Sequence, residues 1–482
     1  MATLAQVYTG LTGLPAPAGG EATVTPWVMN SQLVTAGGGF VARPGQSAGS
    51  PDGHSFIGDA LQRGAGVVVA ERSRTDLNNL QAQVIDLDAP EVERLQAPVL
   101  FLTDDSLLAM QKLATWWRDQ ANPNLKVIGI TGSVGKTTVK ELTAAVLSNR
   151  FRTWKSRGNY NSDIGLPLTL LDMPPDVERA VVELGMTRRG EIEELCAIVR
   201  PDVGIVTNVG PAHMERLGSF EAIASAKAEL VENLPDNGVA ILNGDDGRVR
   251  AMAEKTGATV WTYGLQPEFT LWADEIQSHG LDGIAFHFHW GTESVAARLP
   301  LLGRHSVHAA LAAASVGLSQ GQSWAEVIGG LKDIGRLEVL RIVVAEGING
   351  STLIDDSYNA SPDSVLAALN LLNDLGGRRI AVLGDMLELG SYTEKGHELI
   401  ARRAASVASL FVAIGEMAEW MAAEAQDAGL PAEAIFATRE RGEAVTWLKE
   451  RLQPEDMVLV KASRGLRLDE LVTQLSVVGG DV

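Results

Sequence analysis

Short apolar runs alternate with glycine-bearing turns and helical segments along most of the chain. Four of these runs lie between residues 121 and 333: LKVIGIT, RAVVELG, VGIVTNV and GVAILNG. Short runs rich in β-branched residues are typical of strands buried in a parallel sheet. Their alternation with helical segments predicts a doubly wound α/β domain, in which ligands lie at the carboxyl ends of the strands.

The segments on either side predict two further domains. Residues 1–100 are rich in glycine and small residues, with strand-like runs such as GVVVAE, and predict a small N-terminal α/β domain. From residue 334 strands again alternate with helices, which predicts a Rossmann-like C-terminal domain. Helical spacing over residues 105–120, with Asp105 as N-cap, predicts a linking helix. A length of 482 residues agrees with about three domains, and we predict them at 1–100, 101–333 and 334–482.

Composition and charge narrow the functional classes. The formal net charge of −20 disfavours broad binding to nucleic acid or to an anionic membrane surface. The N-terminus lacks the basic region and apolar core of a signal peptide, and the longest apolar run, residues 309–318, is about half of what spans a bilayer. The single cysteine, Cys196, lies on the apolar face of a predicted helix, which indicates a buried, unreactive thiol. We expect a cytoplasmic protein.

The segment GITGSVGKTTVKE, residues 129–141, predicts a phosphate-binding loop between a strand and a helix. Its glycines let backbone amides approach a phosphate, and the helix N-terminus adds a positive dipole. In this pattern Lys136 reaches the β- and γ-phosphates, and the Thr137 hydroxyl holds Mg²⁺. Ile130 stands where the full motif has its first glycine. A chance glycine turn is the alternative, and the strand–loop–helix context argues against it.

Three polar residues follow other strands of the same predicted sheet. Glu183 ends AVVELGM, His213 lies in TNVGPAHMERLGS, and Lys227 lies in EAIASAKAEL. Taken singly, such residues are more often a solvated edge residue, a structural histidine and a surface charge. Because they share the sheet edge that presents the phosphates, Glu183 and His213 can ligate a divalent ion beside a triphosphate.

The phosphate loop and these three segments together resemble the Mur ligase family, whose loop has the same short form without the first glycine. Four more segments resemble the branch of that family that adds D-alanyl-D-alanine: GNYNSDIGLPLTLL (158–171), LIDDSYNASPDS (353–364), AVLGDMLELG (381–390) and VLVKASRGLRLDELV (458–472). The resemblance covers most of residues 125–470. It rests on the combination of motifs, since no single one is specific.

The resemblance implies a bacterial, cytoplasmic carbon–nitrogen ligase of peptidoglycan precursor synthesis. Ligases of this branch use ATP and Mg²⁺ to join D-alanyl-D-alanine to UDP-N-acetylmuramoyl-tripeptide through an acyl phosphate, and they release ADP and phosphate. A monomer with two Mg²⁺ ions is implied as well. The third residue of the peptide, meso-diaminopimelate or lysine, stays open, as does D-alanyl-D-lactate or D-alanyl-D-serine as the acceptor.

The resemblance also implies roles for individual residues. The loop residues that bind ATP are Gly132, Ser133, Val134, Gly135, Lys136, Thr137 and Thr138, and the other residues that meet the nucleotide are His305, Arg336 and Asp356. The metal-site residues are Thr137, Glu183, His213 and Lys227, the last carbamylated so that it offers oxygen ligands. The catalytic residues are Lys136, Glu183, His213 and Lys227. The substrate-binding residues are Ser31, Arg43, Asn161, Tyr358, Asn359, Lys461, Ser463 and Arg464.

The chain departs from the family pattern at three places, one of which is Ser361, where asparagine is usual. The run His305-Ser306-Val307-His308 stands where the family has His-Asn-x-x-Asn near the adenine. In the N-terminal domain, Asn30-Ser31-Gln32 and Arg43-Pro44-Gly45 stand where the family has motifs that help hold the UDP-sugar. For Asp356, a turn-capping role agrees with the sequence as well as a functional one does.

Two rival functions remain open at this point. Another ligase of the superfamily would act on a different amino acid or a folate-like acid, and it should lack GDMLELG and DDSYNASPDS, which this chain has. A nucleotide-dependent switch or scaffold would bind ATP without ligation, and it would not need Glu183, His213 and Lys227 together.

Overall fold

The computed structural model describes residues 1–45, 49–78, 80–334 and 342–477. Within these ranges, no helix combines the length and the apolar character needed to cross a membrane.

Helices and strands alternate along the chain. The helices are α1 (Leu4–Thr12), α2 (Ile57–Gln62), α3 (Ser106–Gln120), α4 (Lys136–Ser148), α5 (Gly165–Leu171), α6 (Glu191–Val199), α7 (Met214–Leu217), α8 (Phe220–Glu232), α9 (Gly247–Arg250), α10 (Ser306–Ser319), α11 (Trp324–Asp333), α12 (Pro362–Asp374), α13 (Thr393–Val407), α14 (Ala418–Asp427), α15 (Arg441–Lys449) and α16 (Asp469–Leu475). The strands are β1 (Ala18–Gly19), β2 (Trp27–Val28), β3 (Gly39–Val41), β4 (Val67–Glu71), β5 (Gln83–Asp86), β6 (Arg94–Leu95), β7 (Val99–Thr103), β8 (Lys126–Thr131), β9 (Thr153–Lys155), β10 (Arg179–Glu183), β11 (Val203–Val206), β12 (Val239–Asn243), β13 (Thr259–Gly264), β14 (Leu271–Ser278), β15 (Ile284–Trp290), β16 (Glu293–Leu299), β17 (Val343–Glu346), β18 (Thr352–Asp355), β19 (Arg379–Gly384), β20 (Leu410–Ile414), β21 (Ile435–Thr438) and β22 (Met457–Lys461).

The chain divides into two compact units. The first contains Met1–Gly129, Phe151–Gly185 and Glu191–Asp202, and the second contains Ile130–Arg150, Met186–Gly190 and Val203–Val482. The division into domains at residues 100 and 333 stays a prediction.

The first unit is built around a five-stranded sheet in the order β2-β3-β4-β7-β5, with every pair parallel. Strands β4 and β7 are apolar and buried along almost their whole length, as parallel strands covered on both faces are. The predicted helix at 105–120 is confirmed as α3. The Asp105 carboxylate accepts the N–H of Leu108 at its N-terminus, and Met110, Leu113 and Trp117 form its buried face.

The larger sheet of the second unit contains the order β16-β15-β14-β13-β12-β11. Strands β11 to β14 pair in parallel, whereas β14, β15 and β16 pair antiparallel. Helix α4 packs beside α10 and α11 in the same unit, and α10, the predicted apolar run, is buried along almost its whole length. The parallel strands therefore present their carboxyl ends on one edge, where the polar loops follow.

The second sheet of this unit has the order β17-β18-β22-β19-β20-β21, with β17 antiparallel and the others parallel. Alternate strand residues point to opposite faces. Ala381 and Leu383 pack with α12, α13 and α14 on one face, and Ile380 and Val382 pack with α15 and α16 on the other. This is the Rossmann-like arrangement that the sequence predicted, and the predicted α/β class with mostly parallel sheets is confirmed.

Candidate active site

The phosphate-binding loop has the predicted strand–loop–helix geometry. Strand β8 ends at Thr131 and α4 begins at Lys136. Gly132 has φ +149° and Gly135 has φ +86°, values that favour glycine. A Cβ at Gly132 would lie 1.8 Å from Thr207 Oγ1, so no other residue fits there without a shift. The first N–H groups of α4 have no acceptor within the helix. They are therefore available to a phosphate bound at the loop.

Asn208, the second residue after β11, holds the loop in shape. Its Oδ1 accepts the N–H groups of Ser133 at 3.1 Å and Val134 at 2.8 Å. Its Nδ2 donates to Val134 O at 2.9 Å, and the Thr207 hydroxyl donates to the same oxygen at 2.7 Å. The Lys136 ammonium lies over the loop and donates to Gly132 O at 2.7 Å. Lys136 thus lies next to the carbonyls of the loop, where a phosphate would attract it.

His213 stands at the start of α7 in the left-handed region, with φ +61°. Its Nδ1 lies 2.7 Å from Oε2 of Glu388. Burial lowers the pKa of His213, the Glu388 carboxylate opposes that change, and the positive charges of Lys227 and Lys136 add to it. The ring is therefore neutral at pH 7. The same electrostatic effects show that the structure brings His213, Lys227 and Lys136 together.

Lys227 lies on α8 and is only 2% exposed. Burial lowers the pKa of its ammonium well below the usual value, and the positive charge of Lys136 lowers it further. No carboxylate of the described residues offsets these effects. A lowered pKa favours the neutral amine of Lys227, which is the nucleophilic form of the side chain.

Glu183 and Asn161 lie in the first unit and contact each other. Asn161 Nδ2 donates to Glu183 Oε1 at 2.9 Å, and the Glu183 N–H donates to the Ser156 hydroxyl at 3.3 Å. Glu183 ends β10 and is 1% exposed. The predicted metal ligand and the predicted substrate residue therefore form one hydrogen-bonded pair, in which Glu183 is buried and Asn161 is partly exposed.

A cluster of predicted substrate residues forms where β18 and β22 end. Lys461 Nζ lies 2.6 Å from Asp356 Oδ2 and donates to Asn359 O at 2.9 Å. Both charged side chains are buried, so each offsets the cost of burying the other. The Arg464 guanidinium lies 4.9 Å from the ring centroid of Tyr358. The structure thus joins four of these predicted residues to Asp356, the predicted nucleotide residue.

Ser463 connects this cluster to the loop that follows β19. Its N–H donates to Asp385 O at 3.1 Å, and its hydroxyl accepts the N–H of Leu387 at 2.9 Å. Ser463 therefore supports the backbone of GDMLELG in addition to its predicted substrate role.

Two predicted residues of the N-terminal segment lie in the first unit. Ser31 is buried and begins a 3-10 turn that Asn30 caps through the N–H of Gln32. Arg43 follows β3. Arg336, predicted to meet the nucleotide, lies outside the described residues.

Comparison with known families assigns the chain. A family model for the Mur ligase middle domain matches residues 130–317, and one for the Mur ligase glutamate ligase domain matches residues 335–464. These matches cover more than half of the chain. The chain belongs to the Mur ligase family. The resemblance found from the motifs is confirmed.

Members of the Mur ligase family match this chain over nearly its full length. The UDP-N-acetylmuramoyl-tripeptide–D-alanyl-D-alanine ligase of Synechocystis is 36% identical over 452 residues, which are 92% of this chain and 90% of that protein. The crystal structure of MurF from Acinetobacter baumannii has a TM-score of 0.81 at 27% identity and 98% coverage of both chains. MurF from Thermotoga maritima, solved in complex with ADP, has a TM-score of 0.76 at 27% identity, with 93% of this chain and 96% of that chain covered.

Two side chains of the run His305–His308, predicted to lie near the adenine, have partners within the chain. The Ser306 hydroxyl donates to Leu302 O at 2.6 Å, so it bonds to its own chain. His308 lies 2.8 Å from Asp245, Nε2 to Oδ2, and is thereby held in one orientation. His305 lines a cleft of about 410 Å³ beside Asp363. Desolvation, followed by the charge of Lys461, lowers the pKa of His305 to about 4.

Sequence reasoning missed Asn208 and assigned no role to Glu388. Asn208 is the second residue after β11, within the quoted TNVGPAH, so its position was a usable signal. Glu388 is in GDMLELG, but its contact with His213 joins residues 175 positions apart. No local pattern predicts such a contact.

Proposed function

We propose that this chain is an ATP-dependent ligase that joins D-alanyl-D-alanine to UDP-N-acetylmuramoyl-tripeptide in peptidoglycan precursor synthesis. The products are UDP-N-acetylmuramoyl-pentapeptide, ADP and phosphate. The observation that carries the proposal is the phosphate-binding loop with Lys136, Lys227 and His213 beside it, in a chain whose near-full-length relatives bear this activity in their names. We place the reaction in the bacterial cytoplasm.

The chemistry has two steps. A carboxylate is a poor acyl donor, so an oxygen of the tripeptide carboxylate attacks the γ-phosphorus of ATP, and ADP leaves. The neutral amine of D-alanyl-D-alanine then attacks the acyl carbon, and the tetrahedral intermediate expels phosphate with that carboxylate oxygen. The protein positions the reactants and stabilises negative charge. Lys136 and the α4 N-terminus do so at the phosphates.

The proposed residues fit a magnesium ion only if Lys227 is carbamylated. In the described part of the chain, no three His, Cys, Asp or Glu side chains are grouped to hold a metal by themselves. The proposed ligands are Thr137, Glu183, His213 and Lys227. An ammonium cannot ligate, but the buried neutral amine of Lys227 can take up CO₂ as a carbamate, which supplies the oxygen ligands that Mg²⁺ prefers. Bound Mg²⁺ would offset the charge of the phosphates.

Substrate recognition is proposed for three groups of residues. Ser31 and Arg43 belong to the proposed UDP-sugar domain, residues 1–100. Asn161 is proposed to meet the substrate while it holds Glu183. The proposed C-terminal domain, residues 334–482, supplies Tyr358, Asn359, Lys461, Ser463 and Arg464 for the dipeptide, and Arg336 and Asp356 for the nucleotide in the central domain.

The proposal is tested by phosphate release from ATP with both substrates, and with each omitted in turn. We expect release only when UDP-N-acetylmuramoyl-tripeptide and D-alanyl-D-alanine are both present, with a UDP-pentapeptide product detected by mass spectrometry. Release with a different acid and amine, and none with this pair, would keep the ligase chemistry and overturn the substrate assignment.

Lys227→Ala separates a ligase from a nucleotide-dependent switch. We expect turnover to fall by about 10²–10³-fold, the loss typical of removing one charge-stabilising group, while ADP binding persists. Removal of dissolved CO₂ should lower wild-type turnover, and bicarbonate should restore it. The control is Lys255→Ala, because Lys255 forms an exposed ion pair with Glu232, and we expect unchanged turnover. Full turnover of Lys227→Ala would contradict a catalytic role for this lysine.

A further inference from the structure

The loop after β19, Asp385–Gly390, is held by helix α13 and by the residues that follow β22. The N–H of Met386 donates to Nε2 of His397 at 2.9 Å, and the N–H of Leu387 donates to the Ser463 hydroxyl at 2.9 Å. His397 is fully buried. These hydrogen bonds fix the backbone of Met386 and Leu387. They therefore also orient Glu388, the next residue of the loop.

The tip of this loop meets the start of α7. Glu388 has φ +62° and His213 has φ +61°, and a left-handed backbone is uncommon for residues other than glycine. Besides the side-chain contact, the N–H of Glu215 donates to Glu388 O at 3.2 Å. A Cβ at Gly390 would lie 2.8 Å from Glu215 Cα. Two strained residues in contact, with close backbone packing around them, are held by their surroundings.

The histidine side of the contact is continuous with the phosphate loop. His213 ends the segment that begins at Thr207 and Asn208, whose side chains hold the loop carbonyl and amides. Within this segment, the N–H of Gly210 donates to the Ser133 hydroxyl at 2.8 Å. The Asp385–Gly390 loop and the phosphate loop are therefore connected through one short segment that carries His213.

The contact fixes the tautomer of the histidine. A carboxylate only accepts hydrogen bonds, so Nδ1 of a neutral His213 in contact with the Glu388 carboxylate must carry the proton. Nε2 is then the ring nitrogen with a lone pair, which is the form that ligates a metal ion. A carboxylate that accepts the other N–H of a metal-ligating histidine orients the ring and raises its basicity.

We propose that Glu388 is a positioning residue for His213: its carboxylate holds the Nδ1–H tautomer and so presents Nε2 to the metal–nucleotide site. This inference rests on the proposed function, in which His213 is a metal ligand. It also assigns a function to the motif GDMLELG. Glu388 belongs to this motif, which follows β19, and it orients a metal ligand that lies elsewhere in the chain. Glu388 does not itself touch the reactants.

The tautomer is tested directly by long-range ¹H–¹⁵N correlation spectra of the histidine rings, with the His213 signals identified by their loss in His213→Gln. We expect the Nδ1–H tautomer in the wild type and in Glu388→Gln, whose amide oxygen can accept the same bond. Glu388→Ala should shift His213 toward the Nε2–H tautomer. An unchanged tautomer in Glu388→Ala would overturn the proposal, whether or not the enzyme is active.

Metal affinity is tested by titrating the protein with Mn²⁺ in the presence of ADP and following bound Mn²⁺ by electron paramagnetic resonance. Glu388→Ala should weaken Mn²⁺ binding by about 10-fold or more, and Glu388→Gln should retain most of the affinity. In the His213→Gln background, removal of Glu388 should have no further effect, because the two residues act as one unit. Equal losses in both backgrounds would overturn the proposal.

The matched control is Glu416→Ala. Glu416 follows the neighbouring strand β20, and its carboxylate pairs with Arg439 at 2.8 Å at the surface. We expect the His213 tautomer and the Mn²⁺ affinity of this variant to equal those of the wild type. A weaker Mn²⁺ affinity here would overturn the proposal, because it would show that loss of any nearby negative charge has the same effect. If the wild type itself binds no Mn²⁺ with ADP, the proposed function fails, and the role of Glu388 fails with it.

Discussion

At the scale of single residues, buried polar groups determine the shape of the site. His397 is a clear case, because both ring nitrogens are used: Nδ1 lies 2.7 Å from Thr393 O, and Nε2 accepts the N–H of Met386. Since a carbonyl only accepts, Nδ1 carries the proton and the ring is neutral. Burial lowers the pKa of His397, although the Asp385 charge opposes this. Protonation would break the bond that fixes the Asp385–Gly390 loop.

The stability of the C-terminal sheet should therefore depend on pH through His397. Because the folded pKa is lowered, the unfolded chain binds the proton first, and stability falls as the pH drops below about 6.5. His397→Gln keeps an acceptor for Met386 but cannot be protonated there. Calorimetric scans at pH 7.5 and pH 5.5 should show a smaller loss of Tm in His397→Gln than in the wild type. An equal or larger loss in the variant would contradict this account.

At the scale of elements, the close approach of the phosphate loop to the segment after β11 explains why Gly132 must be glycine. Gly132→Ala places a methyl group against the Thr207 hydroxyl, and overpacking of this kind costs about 1–3 kcal/mol. We expect ADP affinity to fall by about 10-fold or more by calorimetry, because the loop must shift. Gly247→Ala is the control, since a Cβ there meets nothing within 4 Å. Unchanged ADP binding in Gly132→Ala would show that the loop tolerates the shift.

The elements that the sequence predicted share one property, which is a strong local pattern. Strand β8 follows from its β-branched apolar run, helix α3 from its apolar period and the Asp105 cap, and helix α4 from the phosphate-loop motif. The antiparallel strands β14–β16 were not separated from the parallel pattern, although Ile284, Phe286 and Phe288 are buried and alternate with more exposed residues. That alternation is typical of an antiparallel strand with one covered face, so the signal was present.

At the scale of the whole molecule, the negative net charge means that the site needs local positive charge to bind anionic substrates. The chain carries a formal charge of −20, and both nucleotide substrates are anions, so the overall field opposes their approach. A local cation must offset this field at the site, and Lys136 does so at the start of α4, where the phosphates are proposed to bind. The ends of the strands could be predicted from the sequence. The polar residues that follow them could be predicted too, because parallel strands end at the same edge of the sheet. The pairs Lys461–Asp356 and His213–Glu388 could not, because each joins residues distant in the chain.

The central claim is that ATP activates the carboxylate of the UDP-N-acetylmuramoyl-tripeptide by forming an acyl phosphate. The most direct measurement uses UDP-N-acetylmuramoyl-tripeptide labelled with ¹⁸O in the carboxylate that reacts, with ATP and D-alanyl-D-alanine. Mass spectrometry of the released phosphate should find one ¹⁸O atom per phosphate, transferred from the carboxylate as the amide forms. Unlabelled phosphate released alongside the pentapeptide product would contradict the account.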